Sequence, residues 1–328
     1  MMMIRLAVIG TNWITDQFIE GALKTGEFQL VAVYSRSLDR AKQFAEKYDA
    51  PALFTDLKSL GESDNVDAVY IASPNVLHGP QSIQMMQAGK HVICEKPLAS
   101  DFSLAQQMYQ VAKQHGVVLF EAFITPHLPN FSVLKQELSQ IGAIRKAVLS
   151  YCQYSSRYPK YLKGEMPNTF LPEFSNGSIM DIGYYCLGSA IELFGEPKSV
   201  QAQAHLLETG VDGNGSVILG YDGFDVLLMH SKTSDSYVPS EIQGEEAALH
   251  VEMISTCNRI TRINRGGQTQ DLSIEQHANR MFYEAHKFAD QIQNKTIDEQ
   301  CKLRSLTVSK LLTEIRRQTG VIFPTDNL

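Results

Sequence analysis

Three consecutive residues, Glu95, Lys96 and Pro97, follow directly on an apolar run and could form part of a ligand-binding site. The run begins at His91 and has the composition of a buried strand. A glutamate and a lysine cannot follow such a strand into the core without partners, because burying an unpaired charge is costly. Pro97 ends strand pairing and directs Lys96 off the strand end, where open parallel sheets bind ligands. The alternative is a surface Glu–Lys pair beside a turn.

A glycine-containing turn near the N-terminus could hold the phosphates of a dinucleotide. Such turns read G-x-G-x-x-G/A between a strand and a helix, whose N-terminus faces the pyrophosphate. Gly10 takes the first position, whereas Asn12 and Thr15 replace the other two small residues. Asn12 can cap a helix or adopt a left-handed backbone, but Thr15 is bulky for a close helix–strand contact. The predicted cofactor contacts here are Gly10, Thr11, Asn12, Trp13 and Ile14. The alternatives are a capped structural turn and, for Trp13, an ordinary core position.

The end of the second predicted strand bears on the choice between NAD and NADP. It reads Ser35-Arg36, where an acidic residue would accept hydrogen bonds from the ribose hydroxyls of NAD. A serine and an arginine can instead hold a 2′-phosphate, so the sequence favours NADP, with NAD as the second possibility. Alternatively, Arg36 is a solvated charge, and Ser37 or Arg40 recognises the phosphate or none of them does.

Asp181 and Tyr185 are four residues apart and therefore share one face of a predicted helix. Gly183 lies between them and lowers helix propensity, which indicates that another group approaches the backbone closely there. The alternative is that Tyr184, Tyr185 and Cys186 are core residues of an amphipathic helix. In that case Asp181 would face the same core without a partner.

The elements that must position these residues alternate between strand and helix over the first 120 or so residues. Strands are predicted at 4–9, 28–35, near 53, 68–72, 91–94 and 117–120. Helices are predicted from about 18 to 26 and at 38–48, 79–88 and 103–114. This alternation is typical of an α/β domain with a doubly wound parallel sheet.

After Phe123 the pattern changes to longer, alternating strands with fewer helices. Strands are predicted at 146–154, 199–207, 216–221, 224–230 and 249–254. Helices are predicted at 130–140, 178–194, 276–293 and 305–318. Asp222-Gly223 and Gly266-Gly267 are hairpin signals. The second half is therefore an α+β domain with a large, mostly antiparallel sheet.

Composition excludes several other classes of protein. The 328 residues carry a net charge of −7, and the longest basic block is Arg316-Arg317, which argues against nucleic acid as a partner. Apolar runs are too short for a membrane span or a signal peptide. Five scattered cysteines without a C-x-x-C pair suit reduced, mostly buried thiols in the cytoplasm.

Three motifs make the chain resemble the Gfo/Idh/MocA family of nicotinamide-dependent oxidoreductases. They are Ser73-Pro-Asn-Val-Leu-His78 after a strand, Glu95-Lys-Pro97, and Asp181-Ile-Gly-Tyr-Tyr185 in the second half. The resemblance spans the whole chain. It implies a Rossmann domain at 1–123 and a domain at 124–328 that binds substrate and forms a homodimer or homotetramer through its open sheet face.

The resemblance also implies roles for individual residues. Lys96 matches the family's catalytic lysine, and Tyr185 stands where relatives place Tyr or His, so the two would form the acid/base pair of a hydride transfer. Asp181 would orient Lys96 or bind a substrate hydroxyl. Glu95 would bind the nicotinamide ribose. The other predicted residues of the cofactor cleft are Ser73, Pro74, Asn75 and His78.

The predicted substrate is a sugar, polyol or related hydroxy/oxo compound. Many relatives carry an arginine where this chain has Pro126, so His127 would substitute for it in substrate binding. Arg157 lies in a polar, aromatic segment at 154–170 and suits a carboxylate or polyhydroxy substrate; alternatively this segment is a solvated loop or a subunit contact. The other histidines lack metal-ligand spacing, and no metal is expected.

Two other functions remain open at this stage. A protein with the same fold could bind NAD(P) as a sensor or regulator without catalysis, although Lys96, Asp181 and Tyr185 would then have no purpose. A Rossmann domain could also bind another adenine ligand, which the Glu95-Lys96-Pro97 strand end disfavours.

Overall fold

The computed structural model of the protein describes residues 3–50 and 52–327, and the chain divides into two units. The first contains the chain up to Phe123 together with His277–Leu306. The second contains Ile124–Gln276 and the chain from Thr307 onward. The predicted domain boundary falls at the same residue; the prediction places 277–306 in the second domain, and the structure groups them with the first unit.

The elements follow the predicted alternation closely. The first sheet consists of β1 (Ile4–Ile9), β2 (Phe28–Tyr34), β3 (Ala52–Phe54), β4 (Ala68–Ile71), β5 (His91–Glu95) and β6 (Leu119–Ala122). The second consists of β7 (Ile144–Cys152), β8 (Ser199–Leu206), β9 (Asp212–Gly220), β10 (Asp225–Ser231), β11 (Ser240–Gly244), β12 (Ala247–Glu252), β13 (Arg259–Asn264) and β14 (Thr269–Asp271). The α-helices are α1 (Trp13–Lys24), α2 (Leu38–Ala45), α3 (Leu57–Gly61), α4 (Asn75–Gln87), α5 (Phe102–His115), α6 (Pro129–Glu137), α7 (Tyr158–Leu162), α8 (Tyr184–Phe194), α9 (Met281–Asn294) and α10 (Glu299–Thr319).

The first sheet has the strand order β3-β2-β1-β4-β5-β6, and every neighbouring pair is parallel. Apolar side chains pack on both of its faces, as expected for strands that read as continuous apolar runs. The predicted doubly wound sheet is therefore confirmed. The order reverses between β1 and β4, where such sheets bind their ligands.

Helix α9 belongs to the first unit because it completes one of these apolar faces. The Phe288 ring lies 6.2 Å from that of Phe28 and 6.0 Å from that of Phe120. Helix α1 approaches so closely that a Cβ on Gly21 would lie 2.8 Å from the nitrogen of Phe282. The packing of α9 on the first sheet could not be predicted from the sequence. Periodicity shows that a helix has an apolar face, but it does not show which surface that face covers.

The second sheet has the order β14-β13-β12-β11-β7-β10-β9-β8, in which β7 and β10 are parallel and the other neighbours are antiparallel. This confirms the predicted, mostly antiparallel sheet. The turns at Asp222-Gly223 and Gly266-Gly267 join β9 to β10 and β13 to β14, as predicted. Apart from that turn signal, strands β11, β13 and β14 and helices α3 and α7 were not predicted, because they are short.

Two differences in helix boundaries affect the predicted functional residues. Helix α4 begins at Asn75, four residues before its predicted start, and contains Pro80 in its second turn. Asn75 and His78 therefore lie in its first turn, close to the end of β4. The predicted helix at 178–194 begins as a π-helical turn, Ile179–Gly183, which carries Asp181 and continues into α8.

All five cysteines are free thiols. All except the half-buried Cys152 are buried, which confirms the predicted burial for most of them.

Within residues 3–50 and 52–327, no helix combines the length and apolar character needed to cross a membrane. The same residues contain no cluster of three or more His, Cys, Asp or Glu side chains arranged to hold a metal ion.

Candidate active site

The turn between β1 and α1 brings backbone close to the end of β4. Gly10 has a φ of 118°, and a Cβ there would lie 2.8 Å from the carbonyl oxygen of Ala72, so only glycine fits. Asn12 caps α1: its Oδ1 accepts hydrogen bonds from the N–H groups of Ile14 (3.0 Å) and Thr15 (3.2 Å). Its Nδ2 donates to Ala72 at 2.9 Å. The Asn12 side chain thus holds the turn against the end of β4. The glycine that usually stands at this position of the motif has no side chain and could not form these hydrogen bonds.

A cleft of about 560 Å³ opens beside this turn, within the size range of ligand pockets. Its lining includes the predicted residues Gly10, Thr11, Asn12, Ser35, Arg36, Ser73 and Pro74. Arg40 and Gln81 also line it, and Ser73 donates a 2.7 Å hydrogen bond to Gln81. The structure therefore gathers most of the predicted cofactor residues of the first unit, with two guanidinium groups, around one cleft.

Trp13 is 68% exposed at the start of α1. The alternative that it is an ordinary core residue is therefore wrong. The first position of α1 points outward, and its indole ring faces solvent beside the turn.

Glu95 is held at the end of β5 by a neighbouring strand. Tyr70, on β4, donates a 2.6 Å hydrogen bond to its Oε1. The Tyr70 ring is fully buried and stacks on Phe18 of α1, with centroids 3.8 Å apart. Burial, reinforced by the negative charge of Glu95, raises the pKa of Tyr70 well above its ordinary value, so the phenol keeps its proton and remains a donor.

The residues after Lys96 are held by two further buried side chains. The ring nitrogens of His78 lie 2.8 Å from the carbonyl oxygen of Pro97 and 2.9 Å from that of Ser73. Glu121, at the end of β6, accepts hydrogen bonds from the Leu98 N–H (2.8 Å) and the Ser305 hydroxyl (2.5 Å). Lys96 therefore stands on a rigid segment, and the Lys96–Pro97 peptide bond is cis.

His78 differs from its predicted place. It is only 1% exposed, so its ring supports the loops at the ends of β4 and β5 instead of lining the cofactor cleft. Burial lowers the pKa of His78, against the opposing effect of the two carbonyl groups. Both partners are acceptors, so a ring with a single N–H donates to only one of these carbonyl oxygens at a time.

A second carboxyl group, that of Glu284 on α9, lies near Glu95 and is only 1% exposed. Burial, followed by the negative charge of Glu95, raises the pKa of Glu284 well above its ordinary value. The proton on Glu284 is therefore held more tightly than on an exposed glutamate, which limits the repulsion between the two carboxyl groups.

In the second unit, Asp181 forms an ion pair with Lys232, the residue that follows β10. The Asp181 side chain is 34% exposed, whereas Lys232 is buried. The alternative of an Asp181 that faces the core unpaired is therefore wrong. Lys232 was missed because nothing in its local sequence distinguishes it from a surface lysine.

The group that approaches Gly183 is the imidazole of His230. A Cβ on Gly183 would lie 3.0 Å from the Cγ of His230 and 2.8 Å from the Cδ1 of Ile179. On the neighbouring strand, a Cβ on Gly215 would come within 2.9 Å of the same ring. The predicted close approach to Gly183 is thus confirmed, and two glycines make room for one buried histidine.

His230 and Asp212 form a buried polar layer beneath the π-helical turn. The Nδ1 of His230 lies 2.9 Å from the Ser178 hydroxyl, and burial lowers the pKa of His230 to about 3, so the ring is neutral. Asp212 accepts a 2.7 Å hydrogen bond from the N–H of Ile179. Burial raises the pKa of Asp212 to about 6, against the opposing effect of backbone N–H groups and of Lys232.

Tyr185 lies in the first turn of α8, on the side that faces the end of β7. Its ring centroid is 5.6 Å from that of Tyr151, with the planes inclined by 60°. His127 is half-buried in a 3₁₀ turn, Thr125–His127, that packs against α8. Arg157 is exposed. Its guanidinium group donates a 2.5 Å hydrogen bond to the hydroxyl group of Thr169, which lies outside α8.

The supporting residues Tyr70, Glu121 and Gln81 were also missed by the sequence analysis. A weak signal exists for the first two, since a tyrosine and a glutamate interrupt otherwise apolar buried strands. Such residues need partners in the core.

Comparison with known proteins assigns the chain to a family. Residues 4–123 match the oxidoreductase family with an NAD-binding Rossmann fold, and residues 136–250 match the GFO/IDH/MocA C-terminal domain. The chain therefore belongs to the Gfo/Idh/MocA family of NAD(P)-dependent oxidoreductases.

Two relatives match along nearly the whole length of both chains. The chain is 55% identical over 326 residues to the uncharacterized oxidoreductase YgjR of Escherichia coli, with 99% of each covered. It is 49% identical over 326 residues, again with 99% of each covered, to the scyllo-inositol 2-dehydrogenase (NADP(+)) IolU of Bacillus subtilis. Among solved structures, a 3-ketoreductase from Actinomadura kijaniata in complex with NADP and TDP-benzene has the same fold, with a TM-score of 0.86, 24% identity, and coverage of 97% of this chain and 98% of that chain.

Proposed function

We propose that the protein is an NADP-dependent dehydrogenase that oxidises a secondary hydroxyl group of an inositol-like polyol, or reduces the corresponding ketone. The observation that carries this proposal is the 49% identity, over 99% of both chains, to a scyllo-inositol 2-dehydrogenase that uses NADP(+). Because the match covers 99% of both chains, both domains of that relative have a counterpart in this protein.

The preference for NADP over NAD is supported by the charges around the cofactor cleft. Arg36 and Arg40 both line it, beside the hydroxyl groups of Ser35 and Ser37. A guanidinium group binds phosphate through paired N–H donors, whereas a ribose diol would be better served by a carboxylate. We therefore infer that these residues hold the 2′-phosphate of NADP.

For the chemistry, the bound nicotinamide would accept a hydride from the carbinol carbon, and the protein must remove the hydroxyl proton. We assign this proton transfer to Lys96 and Tyr185, with the ammonium of Lys96 stabilising negative charge on the substrate oxygen. Asp181 would accept a hydrogen bond from a substrate hydroxyl. Glu95 would bind the nicotinamide ribose, and His127 and Arg157 remain candidates for contacts with the rest of the substrate.

Cofactor binding and turnover together test this function. The fluorescence of Trp13, the single tryptophan, would follow titrations with NADPH and NADH. Oxidation of scyllo-inositol, its isomers and a panel of sugars would be followed through the absorbance of reduced nicotinamide. We expect tighter binding of NADPH and turnover of at least one inositol with NADP⁺. Cofactor binding without turnover of any compound would contradict the enzymatic proposal and favour a sensor or regulator.

We also propose that the open face of the second sheet joins two copies of the chain. Exposed or half-buried apolar side chains, including Ile218, Leu227 and Met229, lie on that face. Light scattering during gel filtration would measure the mass, with Ile218→Glu expected to shift it toward the monomer. The control is Leu303→Glu, an exposed apolar position in the first unit. An unchanged mass in both variants would contradict this interface.

A further inference from the structure

Lys232 is the one lysine of the described chain that is both buried and ion-paired with a predicted active-site residue. It is 6% exposed, and its ammonium pairs with the carboxylate of Asp181, whose side chain is 34% exposed. A buried ammonium without a counter-ion would be strongly unfavourable, so the pair forms as a unit. The ammonium group of Lys232 thus extends from the interior of the second unit to the Asp181 carboxylate, which is partly exposed to solvent.

The backbone of Lys232 is fixed on both sides. Its N–H donates to the carbonyl of Gly213 at 2.9 Å, and its own carbonyl accepts a hydrogen bond from the N–H of Ser155 at 2.9 Å. The next turn is held by Ser231, whose Oγ accepts hydrogen bonds from the N–H groups of Thr233 (3.2 Å) and Ser234 (3.0 Å). The ammonium therefore extends from a rigid strand end, and its position is defined before any ligand binds.

The segment that carries Asp181 is held at a second point by the neighbouring strand. Asp212 accepts the 2.7 Å hydrogen bond from Ile179, two residues before Asp181. The start of the π-helical turn is thus fixed through its backbone, and Asp181 through its side chain. The first restraint comes from Asp212 in β9, and the second comes from Lys232, the residue directly after β10.

We propose that Lys232 is a positioning residue that holds the Asp181 carboxylate ionised and in a fixed orientation for hydrogen bonding to a substrate hydroxyl. This rests on the proposed polyol dehydrogenase function. A carboxylate accepts several hydrogen bonds, so pairing with Lys232 leaves it able to accept others.

Two other titratable groups, on the strands that carry Lys232 and hold the π-helical turn, lie beside the pair. His230, on β10, is neutral because burial lowers its pKa to about 3. Asp212, on β9, is a second carboxyl group, and the charge of Lys232 lowers its pKa against the dominant effect of burial. Beside these two groups, Lys232 supplies the positive charge that pairs with Asp181.

Kinetics of the full-length protein test this role through a Lys232→Met variant. We expect KM for the polyol to rise about tenfold, and the acid limb of the pH profile of kcat/KM to move to higher pH, because a carboxylate loses its cation. The Kd for NADPH, followed through Trp13, should change less than twofold. Lys232→Arg should restore most of the acid limb. Lys198→Met, which removes an exposed lysine paired with Asp222 in the same unit, should leave all three quantities unchanged.

A titration without substrate separates this proposal from the proposed function. Carbon-13 NMR of labelled aspartate carboxyls, with Asp181 assigned through Asp181→Asn, should show its titration midpoint about one pH unit or more higher in Lys232→Met. If wild type turned over no polyol but this shift occurred, the function would be wrong and the positioning role would stand. An unmoved midpoint in Lys232→Met, or in Lys232→Gln should the first variant not fold, would overturn the role of Lys232.

Discussion

Tyr70 and Glu95 are joined by a 2.6 Å hydrogen bond across the neighbouring strands β4 and β5. The phenol is fully buried, and the carboxylate stands at the carboxyl end of β5. Because the Tyr70 ring is also stacked on Phe18, the donor cannot move without disturbing the core. The orientation of Glu95 is therefore fixed by the interior of the first unit.

Tyr70→Phe should weaken cofactor binding. The variant keeps the stacked ring but removes the donor, so Glu95 loses a fixed orientation. We expect a Kd for NADPH about fivefold higher and a loss of roughly 1–2 kcal/mol in unfolding free energy. Calorimetric titration and urea denaturation would measure both. The matched control is Tyr48→Phe, which removes a 2.6 Å Tyr–Asp16 hydrogen bond in the same unit. An equal loss of cofactor affinity in both variants would contradict a specific role for Tyr70.

Replacing the two arginines of the cleft should change cofactor selectivity. We expect Arg36→Ala combined with Arg40→Ala to raise the Kd for NADPH by about 100-fold or more, since each lost charge-assisted hydrogen bond costs roughly 1.5–3 kcal/mol and the double variant loses two. The Kd for NADH should change little, because NADH lacks the 2′-phosphate. Lys42→Ala removes a cation from the same helix, α2, but outside the cleft lining, and should affect neither cofactor. A parallel loss of NADH binding would show that the arginines do not read the phosphate.

Lys96→Met and Tyr185→Phe should abolish most of the chemistry while leaving the cofactor bound. Each variant removes one member of the proposed acid/base pair, and general acid–base catalysis contributes about 10²–10⁴-fold to a rate. Single-turnover measurements with a deuterated polyol would separate hydride transfer from product release. His127→Gln provides a comparison at a residue assigned to substrate contact, with an effect expected on KM. Wild-type kcat in either of the first two variants would refute its catalytic assignment.

His230 should make the folded protein less stable in acid. Burial lowers the pKa of His230 to about 3, so between about pH 6.5 and 3 the unfolded chain binds a proton that the native protein does not. Its contribution to stability is therefore full above pH 6.5 and decreases as pH falls, by about 1.4 kcal/mol per pH unit. Asp212, with a pKa raised to about 6, acts in the opposite direction between about pH 4 and 6, because the native protein then holds the extra proton.

Urea denaturation at several pH values would isolate the histidine. Relative to wild type, His230→Gln should gain unfolding free energy on acidification at about 1.4 kcal/mol per pH unit below pH 6.5. The exposed His205, changed to Gln, is the control and should show no such trend. A pH-independent difference between wild type and His230→Gln would mean that folding does not lower the pKa of His230.

The sequence by itself determined the elements that place the functional residues. The alternation of apolar runs and helices specified the parallel sheet, and the strand ending in Glu95-Lys96-Pro97 marked its ligand-binding end. The four-residue spacing of Asp181 and Tyr185, with a glycine between them, indicated a helix approached closely by another group. These features are local, so periodicity and residue type are enough to reveal them.

Only the tertiary structure decided which groups support those residues. Tyr70, Glu121 and Lys232 are separated in sequence from Glu95, Leu98 and Asp181 by 25, 23 and 51 residues. Partners of this kind are selected by strand order and burial, which no local pattern encodes. The same reason explains why α9 packs in the first unit although it follows the second along the chain, and why His78 is buried between two carbonyl groups. A buried polar group must find a partner, but the fold decides which one it finds.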